Sequence, residues 1–107
     1  MEKNTAHAAK VSRTLKAAGF TKSTSHRSMV RGLPARYEGF IVRAGVTAAR
    51  VEYYRGTDRR PFAEARDAHN AKIARYADAL SAAGFDVEVQ SSVNDFRELV
   101  VRAGGRA

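Results

Sequence analysis

The chain contains no cysteine, which excludes a disulfide framework, a disulfide-linked partner and any thiolate chemistry. Metal ligation is short of donors as well, because His7, on the open surface of the first helix, His26 and His69 are widely separated and share no ligand spacing. No apolar run approaches the length of a membrane span, and the opening MEKNTAHAAK lacks the hydrophobic stretch of a secretory signal. That pattern predicts an intracellular, cytoplasmic protein with no membrane partner. Gly32 stands alone in its polar connection, where a phosphate-cradling loop needs several glycines and a lysine in fixed order, so a nucleotide-hydrolase reading fails. Acid pairs suited to general acid and base work are also missing: Glu64 and Asp67 stand at the start of a helix, where they complement its positive end. No catalytic residue, enzymatic activity, metal or cofactor is expected.

Negative charge is scarce in one half only. Residues 1–60 carry 13 Lys or Arg against four Asp or Glu, whereas residues 61–107 carry six against seven. The formal net charge of +8 therefore belongs to the first half. A chain of 107 residues fits a single domain spanning residues 1–107, with one core. A basic protein of this size attracts anionic partners at long range, and nucleic acid is the commonest large polyanion in a cell. Arg well outnumbers Lys, and its guanidinium makes paired bonds to phosphate or carboxylate where an ammonium acts as a point charge.

The positive charge is densest in TKSTSHRSMVRGLPAR, Thr21 to Arg36, which holds four basic side chains and no acid. A polar, mostly non-periodic connection of that length is uncommon unless it is functional or disordered. Lys22, Ser23, Ser25, His26, Arg27, Arg31 and Arg36 combine cations with hydrogen-bond donors in the mixture that grips phosphate oxygens without reading bases. Lys10, Arg13 and Lys16 recur along the polar back of the first helix, where they either extend that patch or are simply solvated. The leading expectation is a small accessory or regulatory protein that binds DNA or RNA. The alternative is an interaction module or homo-oligomeric structural protein that recognises an acidic partner or itself through Met29, Leu33, Tyr37 and the edge of the Val46 to Arg55 strand. Neither reading involves catalysis.

Periodicity predicts the frame. A first helix runs from about Thr5 to Ala18, capped by Asn4 or Thr5 and stopped at Gly19, with Ala8, Val11 and Leu15 inward. A second runs from Pro61 or Phe62 to Ala83, stopped at Gly84, with His69 on its apolar stripe and a break available near Asn70. Gly39 to Ala44 and Val46 to Arg55 read as a strand pair joined at Gly45, and Phe85 to Gln90 and Phe96 to Arg102 as two more strands about a turn at Asn94 and Asp95. Phe20 to Ser25 offers a short fifth strand. Arg43, Arg50, Tyr54 and Arg102 share the outer sheet face with Glu52, Asp86, Glu88 and Glu98, which predicts cross-strand ion pairing there in preference to an RNA platform. The result is an α+β two-layer sandwich: two helices on one face of a four- or five-stranded, mainly antiparallel sheet, in the order α-β-β-β-α-β-β. An internal echo runs through it, LKAAGF against LSAAGF and FIVRAG against LVVRAG.

Overall fold

The computed structural model describes residues 2–27, 34–36, 38–56 and 60–104. Its elements are α1 (Thr5–Ala17), β1 (Ser25–Arg27), β2 (Pro34–Arg36), β3 (Gly39–Ala44), β4 (Ala49–Tyr54), α2 (Phe62–Ala82), β5 (Asp86–Ser91), a 3-10 turn (Val93–Asp95) and β6 (Arg97–Arg102). Four strands form an antiparallel sheet in the order β3-β4-β6-β5, and both helices pack on one face of it. This is the α+β sandwich that the alternating strands require: each inward row is apolar, and the helices cover it.

Both helices end in the same way. Gly19 and Gly84 adopt positive φ, the Phe20 N–H donates to Leu15 O at 3.1 Å, and the Phe85 N–H donates to Leu80 O at 3.1 Å. The sequence LxAAGF is thus a Schellman stop used twice: glycine relieves the steric cost of the left-handed residue, and the following Phe packs back toward the Leu. At the other end of α1, the Asn4 side chain accepts from the His7 N–H at 3.0 Å, satisfying one of the free amides of the first turn. The second helix is continuous through His69 and Asn70, because Asn70 bonds outward to the 3-10 turn and leaves the helix ladder intact.

Val11 and Leu15 from α1 meet Ile73, Tyr76 and Leu80 from α2 over Phe40, Val51, Leu99 and Val101 of the sheet. Tyr76 lies at the centre, with the Phe20 ring edge-on at 4.8 Å and the Phe40 ring at 6.0 Å. Each such buried side chain contributes about 1.5–3 kcal/mol through apolar burial. Val89 points to the helix face as its alternation requires, yet it is 51% exposed on β5, the outer strand of the sheet.

Three expectations are corrected. Phe20 to Ser25 does not form a fifth strand of the main sheet; it contributes only an isolated parallel bridge, Lys22 to Phe40. The polar connection is not wholly irregular, since β1 and β2 pair antiparallel, with His26 opposite Ala35. β4 begins at Ala49, so residues 45–48 form a wider turn than a joint at Gly45. The two copies of the VRAG echo also occupy inequivalent places, one on β3 at the sheet's edge and the other on β6 between β4 and β5.

Candidate functional site

The bridge at Lys22 fixes the first part of the site. The Ser23 N–H donates to Phe40 O at 2.8 Å and the Phe40 N–H to Thr21 O at 3.0 Å, so the segment after α1 lies against β3. Gly39 permits the approach: a Cβ there would collide with Thr21 O and Ser23 N, and the residue has φ +156°. Pinned in this way, Lys22 stands beside α1 and lines a groove of about 350 Å3 with Arg13 and Lys16. Small side chains, Ala8, Ala9 and Ser12, line the same groove and leave room between the cations. Arg13, Lys16 and Lys22 are exposed. Among the described residues no carboxylate comes within ion-pair distance of any of the three.

The other expected contact residues separate. Lys10 turns to the opposite flank of α1, its ammonium 5.9 Å from the Phe85 ring centroid, and does not line the groove. Ser23 is 1% exposed, so its side chain is withdrawn from the surface at which a phosphate would dock. Ser25, His26, Arg27 and Arg36 are placed by their backbone in the β1–β2 pair. Arg31, Met29, Leu33 and Tyr37 lie outside the described residues. His7, which the sequence assigns to open helix surface, is half-buried: its Nε2 lies 2.9 Å from Val101 O and its ring is edge-on to Phe85.

Two cations that the sequence did not single out adjoin this groove. On the other side of the segment after α1, a cavity of about 260 Å3 is lined by Phe20, Thr21, Tyr53, Lys72, Arg75 and Tyr76, among others. The Lys72 ammonium lies 6.0 Å from the Phe20 ring centroid and the Arg75 guanidinium 5.4 Å from it, contacts in which the ring face attracts the charge. Burial pushes the Tyr76 phenol well above its ordinary pKa, and the neighbouring Tyr53 and Glu38 push in the same direction against Arg75, so it is a neutral hydroxyl. Among the described residues, Glu38 is the only acid lining this cavity. Lys72 and Arg75 lie one helical turn apart on α2, in the half whose net charge is slightly negative, which is why counting charge along the chain overlooks them.

The outer sheet face is different. Arg43 Nε bonds Glu52 at 2.5 Å, Arg50 bonds Glu98, and Arg102 lies 3.3 Å from Glu88. Hydrogen bonds from Gln90 and Arg102 hold the Glu88 carboxyl below the usual carboxylate range. Val100 lies on this face between Arg50 of β4 and Glu88 of β5 and is 7% exposed although no helix covers it. This face is the ion-paired surface that the alternating charges predict.

A further cavity opens where the central strands part. β4 and β6 pair only over Ala49–Val51 with Leu99–Val101. One more step of that register would set Glu52 opposite Glu98, a like-charge pair that opposes continuation. Arg55 and Phe96 line the gap, with the guanidinium 4.3 Å from the ring centroid. His69 lines it too: its Nε2 lies 2.8 Å from Arg97 O, which as an acceptor fixes that nitrogen as the donor. Among the described residues no group of three or more His, Cys, Asp or Glu is placed to hold a metal, and no helix is long and apolar enough to cross a membrane. No protein-family model, curated protein or solved structure matches the chain.

Proposed function

We propose that this chain is a small nucleic-acid-binding accessory or regulatory protein that grips the phosphate backbone with the cations flanking the segment after α1. One observation carries the reading. Arg13, Lys16 and Lys22 on one side of that segment, and Lys72 and Arg75 on the other, have no ion-pair partner among the described residues, while the sheet-face arginines are each matched to an acid. Unpaired cations carry condensable charge into an encounter with a polyanion, and neutralising phosphates releases counterions, so affinity depends steeply on salt. Small side chains in the groove allow close approach, and the mixture of Arg and Lys suits phosphate contact without base reading.

The test is the salt dependence of binding to labelled DNA and RNA of unrelated sequence. The reading requires binding at about 50 mM salt that falls steeply, and log-linearly with salt, toward about 200 mM. Absence of binding to every probe at the lower salt overturns it. β4 lies inside the sheet between β3 and β6, so the alternative, self-association or docking of an acidic protein, draws instead on the outer edge of β5, where Val89 is half exposed. A homodimer that fails to bind any oligonucleotide would favour that alternative.

A further inference from the structure

The two cavities described above have a wall in common. Tyr53 lines both the polar cavity that holds Lys72 and Arg75 and the gap between β4 and β6 that holds Arg55 and Phe96. They therefore adjoin at one end of the sheet, where β3 begins and β4 ends, and they differ in chemistry. The first has two unpaired cations and a neutral phenol. The second, about 360 Å3 in volume, has a guanidinium stacked on a ring, an exposed apolar rim residue in Val93 at 81%, and the partly exposed Tyr54. His69 lies in its wall, with Nε2 committed to Arg97 O and Nδ1 buried.

We infer that this end of the sheet is a site for one nucleotide of a single-stranded nucleic acid, with its phosphate in the Lys72 and Arg75 cavity and its base against Arg55 and Phe96. The inference rests on the nucleic-acid reading above and specifies the form of the ligand. A base within a duplex is stacked and paired on its neighbours and cannot enter a recess between two β-strands. An unstacked base presents both faces and its hydrogen-bonding edge, and aromatic rings and guanidinium planes are the surfaces on which such bases stack. The phosphate beside it needs cations that no acid already holds, as at Lys72 and Arg75. Glu38 opposes the anion from the rim of the same cavity, so its carboxylate sets a limit on affinity.

The experiment compares fluorescence anisotropy of a labelled single-stranded oligothymidylate with that of an abasic strand of equal length at low salt. Both carry the same phosphates, so their difference reports the base alone. Wild-type protein is expected to bind the thymidylate about tenfold more tightly than the abasic strand. Arg55→Lys keeps the charge and removes the planar guanidinium, and it is expected to bring that ratio close to one while leaving abasic affinity unchanged within about twofold. Lys72→Ala with Arg75→Ala is expected to weaken both strands, and Glu38→Gln to tighten both. Equal affinity of wild-type protein for the two strands, or an equal loss on both with Arg55→Lys, overturns the nucleotide site. The groove cations would still bind both strands in that event, so the broader reading survives; failure to bind either strand removes both.

Discussion

Two surfaces of this molecule carry three cations each and treat them in opposite ways. On the sheet face, Arg43, Arg50 and Arg102 each meet a glutamate, drawn from 9, 48 and 14 residues away in the sequence. In the groove beside α1, Arg13, Lys16 and Lys22 meet none among the described residues. The difference arises from secondary structure. A strand places alternate residues on one face next to the same face of its neighbours, so an Arg on β3 or β4 has a Glu on the adjacent strand within reach. A helix back faces solvent, and the first turn of α1 supplies no acid. Formal charge along the chain is therefore a poor guide to field strength; what matters is which cations an ordered neighbour has already neutralised.

The largest expected effect removes one side of this contrast. Arg13→Ala, Lys16→Ala and Lys22→Ala together are expected to weaken oligonucleotide binding by roughly ten- to a hundredfold at about 50 mM salt and to reduce the salt slope by about 2–3, as read by anisotropy. Next in size is a substitution that leaves every charge in place and disturbs only the placement of Lys22. Gly39→Ala forces a Cβ against Thr21 O and Ser23 N, with an expected loss of about 1–3 kcal/mol in denaturant unfolding and weaker binding in parallel. Unchanged stability would mean that the segment after α1 is not seated on β3.

A smaller effect converts the second surface into the first. Glu52→Gln, Glu88→Gln and Glu98→Gln free the sheet arginines without adding a positive side chain, and oligonucleotide affinity is expected to rise a few-fold with little change in stability, because exposed ion pairs contribute little. No gain in affinity would show that pairing is not what silences that face. The smallest effect concerns His69, at the gap between β4 and β6. Burial holds its pKa below the ordinary histidine value, with the nearby Arg55 adding to the depression and the Arg97 carbonyl opposing it. The unfolded chain then takes up a proton that the folded chain resists, so the stability associated with His69 is complete above about pH 6.5 and declines as the pH falls below it. The thermal midpoint of wild-type protein is expected to drop more between about pH 7.5 and 5.5 than that of His69→Gln, and equal drops would contradict the assignment.

Local rules made most of the frame legible. Asn4 caps, the two LxAAGF stops and the alternation of Phe40, Val42, Val51, Leu99 and Val101 each depend on neighbours a few residues away, so the sequence displays them directly. The echo has the same origin where it marks helix ends, and its second half recurs because β3 and β6 both alternate an inward row with an outward arginine. The site was less visible because it is assembled at long range. Lys72 and Arg75 join Phe20 across some fifty residues, and nothing in their own surroundings marks them. Ser23 reads as a surface donor, yet the parallel bridge beside it buries it. His7 reads as open helix surface, but Val101 and Phe85 of the second half cover it.

The central claim is that unpaired cations, and not total charge, define the binding surface. Chemical-shift mapping of the isotopically labelled chain during titration with an oligonucleotide at low salt tests this most directly, because every amide reports in one experiment. The expected result is a contiguous set of perturbations at Arg13, Lys16, Lys22, Lys72 and Arg75 that reverses on adding salt and leaves Arg43, Arg50 and Arg102 still. Perturbations centred on those three sheet arginines, or scattered evenly over both surfaces, would contradict it.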